Sequence, residues 1–195
     1  MFDLFHVPLL PGLTSQADVV TPAEEQALIA AIDATTLTPF RFQGWTGKRL
    51  TTSFGWSYDF TTQEVGRADP IPGWLMPLRE RLSDFAGLAP DDLIQALLIR
   101  YDPGAGIGWH RDRPIYEHVL GLSLGAPADM RFRRRRPDGK YDRVSAPLEP
   151  RAAYHIAGEA RHQWEHSIVE MDRTRWSITF RSPSSVWPRQ QPVAL

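Results

Sequence analysis

The chain has 195 residues, of which 42% are hydrophobic, and its formal net charge is −1. This length is enough for one domain with its own core, and the near-neutral charge excludes a protein that attracts polyanions through its overall field. The chain has no cysteine, which excludes disulfides, thiolate metal sites and thiol nucleophiles. The candidate metal ligands are therefore His, Asp and Glu, a set that suits iron, manganese or zinc.

The first 13 residues, MFDLFHVPLLPGL, lack the pattern of a secretory signal. They carry Asp3 and His6, and they have neither a basic start nor a long apolar run. No stretch of the sequence has the ~20 consecutive apolar residues that span a bilayer. We therefore expect a cytoplasmic, monomeric protein with no membrane partner.

Two helices are predicted in the N-terminal half. The first covers about residues 21–34, because Thr21 can cap it, Pro22 suits the first helical position and Glu24 can complete a capping box. An apolar stripe at helical spacing predicts the second over about residues 74–85, and a glycine two positions later provides its stop.

From residue 95 onward the sequence consists of short segments rich in β-branched and aromatic residues, with turn residues every 8 to 12 positions. The predicted strands are Gln95–Tyr101, Gly106–Asp112, Val119–Leu124, Met130–Arg134, Tyr141–Leu148, Ala152–Ile156 and Thr174–Arg181. A hairpin turn is predicted at residues 137–140, Pro-Asp-Gly-Lys. Strands of this length and spacing predict a sandwich or barrel with the helices on its outside, a mainly β member of the α+β class.

A candidate metal motif, His110-Arg111-Asp112, follows a glycine-rich turn within one of these strands. Residues two apart in a strand share a face, so the imidazole of His110 and the carboxylate of Asp112 would converge. Two such ligands and a distant histidine form a facial triad, which leaves coordination positions open on a non-haem iron. On its own, a motif of this kind more often consists of polar side chains that face solvent and bind no metal.

Four histidines are candidates for the third ligand, and the residue pattern alone leaves the choice open. His118 lies close to the pair in sequence and suits the cap of a strand. His155 falls in an alternating segment, where a hydrogen-bonded core histidine is the simpler interpretation. His162 and His166 flank a Gln-Trp-Glu segment later in the chain.

Residues 174–181 alternate between two kinds of side chain. One face would carry Arg175, Ser177, Thr179 and Arg181, and the other Trp176, Ile178 and Phe180. An ordinary half-buried strand turns its polar face to water. Alternatively, the polar face lines the inside of a barrel, where an arginine can bind a dicarboxylate through paired hydrogen bonds.

Four segments, in the same order, resemble motifs of the AlkB family of Fe(II)/2-oxoglutarate dioxygenases between about Phe54 and Arg181. They are FGWSY at residues 54–58, LIRYDPGA at 98–105, GEARHQWEHSI at 158–168 and the arginine strand at 175–181. The resemblance implies a double-stranded β-helix, or jelly-roll, core at about residues 95–182. It also implies a helical and substrate-lid part at about residues 1–94, within a single domain of residues 1–195.

The resemblance further implies roles for individual side chains. It selects His166 to bind Fe(II) together with His110 and Asp112, and it implies 2-oxoglutarate and O2 as cosubstrates. The residues that would hold 2-oxoglutarate are Tyr101, Arg175, Ser177 and Arg181. Within that set, Arg181 would contact the C5 carboxylate and Arg175 would lie nearer the metal. The residues that would face the substrate base are Trp45, Trp56, Tyr58 and Arg161.

The implied function is oxidative removal of N-alkyl groups from bases of DNA or RNA, with single strands preferred. The basic run at residues 131–136, with Lys140 and Arg143 across the hairpin, is either a phosphate-binding surface or a solvated hairpin tip. Two departures from the family bear on this function. Ile99 replaces an asparagine that helps hold 2-oxoglutarate, and Pro114 replaces an acidic residue of a member that repairs adenine. Pro114 and the near-neutral charge favour the alternative, an oxygenase that acts on a protein side chain or a small molecule.

Overall fold

The computed structural model describes residues 9–42, 45–58 and 65–187. Within them the backbone forms two antiparallel sheets with an apolar layer between them, a small two-stranded ribbon and three helices. None of these helices is long and apolar enough to cross a membrane. The mainly β, jelly-roll fold predicted from the sequence is confirmed.

The larger sheet has seven strands and the smaller sheet has four. In spatial order the larger sheet consists of β1 (Leu13–Gln16), β11 (Ala153–Ile156), β8 (Tyr116–Gly125), β13 (Arg175–Pro183), β6 (Gln95–Tyr101), β3 (Trp45–Phe54) and β2 (Thr38–Phe42). The smaller sheet consists of β10 (Tyr141–Leu148), β9 (Ala128–Arg135), β12 (Glu165–Ile168) and β7 (Ile107–His110). The ribbon pairs β4 (Trp56–Tyr58) with β5 (Val65–Arg67).

Both predicted helices are present. The helices are α1 (Pro22–Asp33), α2 (Met76–Ala86) and a short α3 (Gly158–His162). The predicted capping box opens α1: the amide of Glu24 donates to the Thr21 hydroxyl, and the amide of Thr21 donates to the Glu24 carboxylate at 2.7 Å. A single 3₁₀ turn at Gly73–Leu75 precedes α2, and Gly87 ends it with a φ of 67°, a left-handed conformation that glycine adopts without strain.

Two apolar layers cover the two faces of the larger sheet. The outer layer joins α1 and α2 to the sheet and includes Ile32, Leu78, Leu82, Leu98, Leu122 and Phe180. The inner layer lies between the sheets and includes Ile99, Tyr101, Met130, Phe132, Trp164 and Ile168. Strand β13 is the fourth of seven strands, so one of its faces meets the helices and the other meets the interior. On the inner face, Arg175, Ser177 and Thr179 are at most 3% exposed, which confirms the barrel-lining interpretation.

Several strands differ from the prediction. Strand β7 ends at His110, so Asp112 lies in the following loop and not on the strand itself. That loop contains Pro114, which has no N–H to continue a ladder. Residues before 95 contribute β1, β2 and β3 to the larger sheet in addition to the two helices. Strand β12 is only four residues long, too short for its alternation to stand out.

The predicted hairpin between β9 and β10 is confirmed. The amide of Arg136 donates to the carbonyl of Lys140 at 2.8 Å, and Gly139 takes a φ of 80° in the turn. The register then pairs Arg133 with Arg143 and Phe132 with Val144. This places one row of side chains inside the fold and the next row on the outer face of the smaller sheet.

Candidate active site

Two of the predicted ligands lie side by side on neighbouring strands of the smaller sheet. His110, the last residue of β7, is the cross-strand partner of His166 on β12, and their ring centroids are 4.3 Å apart. Nδ1 of His110 lies 2.9 Å from the carbonyl oxygen of Gly108. Because a carbonyl can only accept, Nδ1 carries the proton and Nε2 remains able to bind a metal.

Asp112 reaches the same point from the loop after β7. Its Oδ2 lies 3.6 Å from Nε2 of His166, and the ligand atoms of His110, Asp112 and His166 all lie within 4.8 Å of one another. Its Oδ1 accepts from Nη2 of Arg181 at 2.8 Å and from Nε at 2.9 Å. The ion pair orients the carboxylate so that one oxygen faces the histidines.

The electrostatics of the cluster favour a metal-binding protonation state. Burial lowers the pKa of His166 to about 3, and the neighbouring His110 adds to this shift. Burial also lowers the pKa of His110. Burial by itself would raise the pKa of Asp112, but Arg181 and His166 hold it below its usual range. The site therefore presents two neutral imidazoles and one carboxylate, the forms that ligate metals.

The other candidate histidines lie elsewhere. His118 and His155 contact each other, with Nδ1 of the first 2.9 Å from Nε2 of the second. Nε2 of His162 lies 2.9 Å from a carboxylate oxygen of Glu117. Within the described ranges, the only group of three or more clustered metal-ligating side chains contains His166. Two imidazole nitrogens and one carboxylate oxygen form the donor set typical of a non-haem Fe(II) oxygenase.

Arg175 has two hydrogen-bonding groups without partners inside the fold. The residue is 1% exposed; its Nε donates to Oγ of Ser123 at 3.2 Å, and its guanidinium carbon lies 5.3 Å from the centre of the Tyr101 ring. Nη1 and Nη2 are buried, and neither has a hydrogen-bond partner in the part of the chain that the structure describes. Unsatisfied charged donors are costly in an apolar interior, so this end of the inner face fits a ligand with a carboxylate.

The structure reverses the expected order of the two arginines on β13. The family resemblance implied that Arg181 would contact the C5 carboxylate of 2-oxoglutarate and that Arg175 would lie nearer the metal. Instead, Arg181 binds Asp112 and donates from Nη1 to Oε1 of Gln95 at 3.0 Å, so it lies at the metal end. The free side of Arg175 lies at the other end of the strand. Alternation identifies a shared face, but it does not say which end of that face meets the smaller sheet.

Two of the predicted substrate-facing residues, Trp56 and Tyr58, lie on the β4–β5 ribbon beside arginines. The guanidinium of Arg67 lies 5.0 Å from the Trp56 ring centre, and that of Arg113 lies 4.7 Å from the Tyr58 ring centre. Trp187 packs edge-on against Trp56 with centroids 5.3 Å apart. These five residues form what we call the aromatic cluster.

The aromatic cluster connects to the metal end of the site through Tyr116. The rings of Trp187 and Tyr116 are 5.8 Å apart, and the Arg181 guanidinium lies 5.3 Å from the Tyr116 ring centre. Trp45 starts β3, but its side chain lies outside the described residues, so its role stays a prediction.

Arg161 is not placed to face a substrate base. It is 4% exposed, and its Nη2 donates to the backbone carbonyls of Arg113 and Tyr116. Arg161 therefore anchors the loop that carries Asp112, a role the motif pattern did not reveal. Its position on α3, behind that loop, explains the difference.

Two further residues of the site, Arg49 and Trp187, were not predicted from the sequence. Arg49 on β3 is 8% exposed, and its guanidinium stacks 3.9 Å from the centre of the Phe40 ring. Burial lowers the pKa of Arg49, and its charge also interacts with Tyr101 and Asp112, so it belongs to the site. A lone arginine in a predicted lid region gives no pattern, and Trp187 lies beyond the last recognised motif.

The jelly-roll fold and the two-histidine, one-carboxylate donor set together define the class of non-haem iron oxygenases. The profile of the 2OG-Fe(II) oxygenase superfamily matches residues 16–182. The chain is 29% identical over 204 residues to the alkylated DNA repair protein ALKBH8 homolog of Arabidopsis thaliana, covering 91% of this chain. It is 31% identical over 166 residues to the tRNA (carboxymethyluridine(34)-5-O)-methyltransferase alkbh8 of Xenopus tropicalis, covering 83% of this chain. The chain spans 57% of the Arabidopsis protein and 26% of the Xenopus protein.

Solved structures show the same fold. The structure of OsALKBH1 superposes with a TM-score of 0.66 at 16% identity, over 90% of this chain and 98% of that one. A Pseudomonas putida prolyl-4-hydroxylase superposes with a TM-score of 0.58 at 15% identity, over 89% of this chain and 94% of that one. The chain therefore belongs to the 2OG-Fe(II) oxygenase superfamily and, by its relatives, to the AlkB family within it. Membership confirms the predicted cofactors: Fe(II), 2-oxoglutarate and O2.

Proposed function

We propose that the protein is an Fe(II)/2-oxoglutarate-dependent dioxygenase that removes N-alkyl groups from bases of single-stranded DNA or RNA. One observation carries the proposal: His110, Asp112 and His166 converge beside an inner face on which Nη1 and Nη2 of the buried Arg175 have no hydrogen-bond partner among the described residues. A metal triad and an unsatisfied carboxylate-binding group in one interior are the two requirements of 2-oxoglutarate chemistry.

The chain's own contribution would be to hold and orient these groups. When bound, Fe(II), 2-oxoglutarate and O2 supply the oxidation of a substrate C–H bond, with conversion of 2-oxoglutarate to succinate and CO2. The three ligands would hold the metal from one side and leave its other positions open. Arg175, with Tyr101 and Ser177 nearby, would bind the carboxylate far from the metal. Arg181 would keep Asp112 ionised and correctly turned.

A nucleic-acid substrate is supported by two independent features. The Arabidopsis relative is named for alkylated DNA repair and the Xenopus relative for a tRNA uridine. In this chain, the aromatic cluster offers ring faces and cationic groups close to the metal end. Aromatic faces bind unstacked bases with little regard to sequence.

The basic run at residues 131–136 is largely paired within the protein. Arg133 lies 2.6 Å from Glu165, Arg134 lies 2.9 Å from Glu159, and Arg136 lies 3.4 Å from Asp142. These pairs reduce the charge that the run can present to phosphates. The sequence left two interpretations of the run open, a phosphate-binding surface or a solvated hairpin tip. Phosphate binding therefore stays a proposal only for the arginines of the hairpin that have no carboxylate partner among the described residues.

The unpaired arginines share the outer face of the smaller sheet with two aromatic rings. Arg131, Arg135 and Arg143 have no carboxylate partner among the described residues. The guanidinium of Arg131 lies 5.1 Å from the Trp109 ring centre, and that of Arg143 lies 5.6 Å from the Tyr141 ring centre. Trp109 directly precedes the ligand His110 on β7 and points to the opposite face. This outer face would hold a strand whose base enters the site.

The test is oxidation of an N-methylated single-stranded oligonucleotide, as DNA and as RNA, with the unmethylated strand as control. We expect formaldehyde and succinate to rise together, and only with the methylated strand. If wild-type protein converts 2-oxoglutarate slowly by itself and no oligonucleotide stimulates it at low salt, the substrate assignment is wrong. A protein side chain or a small molecule would then be the substrate of the same site.

A further inference from the structure

Gly121, in the middle of the larger sheet, leaves room for the side chain of a neighbouring residue. It is a residue of β8, paired with Tyr154 on one side and Thr179 on the other. A Cβ atom at this position would overlap the ring and the hydroxyl oxygen of Tyr154. Glycine inside a strand weakens it and often marks a close approach by another group. Here the Tyr154 ring lies flat across the inner face above Gly121.

This arrangement places the Tyr154 hydroxyl between the two arginines of β13. Cross-strand pairing puts Gly121 level with Thr179, one step along the inner face from Ser177 and one step from Arg181. Burial has the largest effect on two neighbouring pKa values: it raises the pKa of Tyr101 and by itself would lower the pKa of Arg181. Tyr154 is close enough to raise the pKa of each of these two residues. Tyr154 itself is 8% exposed.

On β13 itself, the hydroxyls of Ser177 and Thr179 are the other hydrogen-bonding groups at this level. Ile99 is paired with Ser177 on the neighbouring strand and offers only an apolar surface. Oγ of Ser123 is already engaged as the acceptor for Arg175. The Tyr154 hydroxyl donates no hydrogen bond to a described residue, so it can donate one to a ligand.

We propose that Tyr154 is a cosubstrate-binding residue whose hydroxyl donates a hydrogen bond to 2-oxoglutarate, between the carboxylate held by Arg175 and the metal end. The inference rests on the proposed function and adds to it a residue outside the motifs that the sequence analysis identified. The position of Tyr154 depends on Gly121, because the tyrosine ring occupies space that only glycine leaves open. Because Ile99 offers no amide on this face, the Tyr154 hydroxyl would supply a hydrogen bond that an asparagine at position 99 could otherwise make.

The test is calorimetric titration of 2-oxoglutarate into the Mn(II)-loaded protein, which binds without turnover. Tyr154→Phe removes one oxygen atom and preserves the ring over Gly121. Because a hydrogen bond to a charged group is involved, we expect Kd to rise about 10-fold or more. The affinity for Mn(II) and the melting temperature should stay at wild-type values. Thr35→Val removes a hydroxyl that donates to the Ala31 carbonyl at the end of α1, far from the site; it is the control and should bind 2-oxoglutarate normally.

A second variant tests whether the hydrogen bond itself is what was lost. Ile99→Asn in the Tyr154→Phe background places an amide on the same inner face and should recover most of the affinity. A wild-type Kd in Tyr154→Phe, or no recovery in the double variant, would overturn the role of Tyr154 and leave the proposed function intact. Failure of the wild-type protein to bind 2-oxoglutarate with Mn(II) would overturn both.

Discussion

At the scale of single residues, the ion pair between Arg181 and Asp112 dominates the metal end of the site. Its shortest N–O distance is 2.8 Å, and the side chains are 13% and 8% exposed. A charge pair this buried is stable only while both partners are present, because either charge alone would be desolvated without compensation. A divalent metal gives Asp112 a second source of positive charge.

We therefore expect Arg181→Met to destabilise the metal-free protein by about 3–5 kcal/mol. Mn(II) should recover a large part of this loss, since the metal neutralises the buried Asp112 carboxylate that has lost its arginine. The rise in melting temperature on adding Mn(II) would then be larger in the variant than in the wild type. An equal rise in both proteins would show that Arg181 does not compensate Asp112.

Arg175→Met should affect the cosubstrate alone. Removing a charge-assisted partner in a closed site commonly costs about 2–5 kcal/mol, which corresponds to a loss of 2-oxoglutarate affinity of roughly 30-fold or more. The affinity for Mn(II) should not change, because Arg175 does not touch the triad. Calorimetry with each ligand in turn measures both effects. A wild-type Kd for 2-oxoglutarate in Arg175→Met would show that another residue binds the carboxylate far from the metal.

At the scale of elements, strands β8 and β11 are joined by a histidine pair outside the active site. His118 and His155 lie 2.9 Å apart at their ring nitrogens. Burial, followed by the charge of His118, lowers the pKa of His155 from 6.5 to about 4. Between pH 6.5 and pH 4, His155 therefore binds a proton in the unfolded chain but stays neutral in the folded chain. The resulting stability is present above pH 6.5 and is lost as the pH falls towards 4.

Substitution of His155 by Gln should reduce this loss. After allowance for partial exposure, the contribution of His155 is about 1–2 kcal/mol. The decline in the free energy of unfolding between pH 6.5 and pH 4, measured with urea, should be smaller by that amount in His155→Gln. His162→Gln, a change at an exposed histidine, is the control. Parallel declines in the wild type and His155→Gln would contradict the pair's role.

Elements whose sequence shows a clear periodicity of polar and apolar residues could be predicted. Elements that form because of contacts with distant parts of the chain could not. The alternation of β13 predicts its inner polar face because a strand turns each side chain by half a revolution. Strand β12, which carries His166, has four residues and forms only because β7 and β9 flank it. His166 was identifiable through the family motif alone. The position of Arg161 and the depth of Arg175 depend on how distant elements meet, which no local pattern encodes.

At the scale of the whole molecule, the net charge is only −1, but the arginines of the β9–β10 hairpin differ in whether a carboxylate neutralises them. Some are paired with carboxylates, and others have no carboxylate partner among the described residues. Replacing Arg131, Arg135 and Arg143 together by Gln should weaken binding of single-stranded nucleic acid at every sequence. The slope of log K against log salt should become shallower by about 2, because each phosphate contact on a single strand contributes about 0.7. Fluorescence anisotropy at several salt concentrations measures both quantities.

The matched control replaces Arg134 and Arg136, which are paired with carboxylates, by Gln. These changes should alter the slope less, since their charges already have partners inside the protein. Equal effects of the two variant sets would show that the outer face of the smaller sheet has no special part in binding.

The central claim is that His110, Asp112 and His166 hold the iron that consumes 2-oxoglutarate. The most direct measurement is Fe(II)-dependent succinate formation by wild type, His166→Ala and the control His162→Ala, each checked for folding by circular dichroism. We predict that His162→Ala keeps wild-type turnover and that folded His166→Ala has none. Full turnover by His166→Ala, or succinate formation that does not depend on added Fe(II) in metal-stripped wild-type protein, would contradict the account.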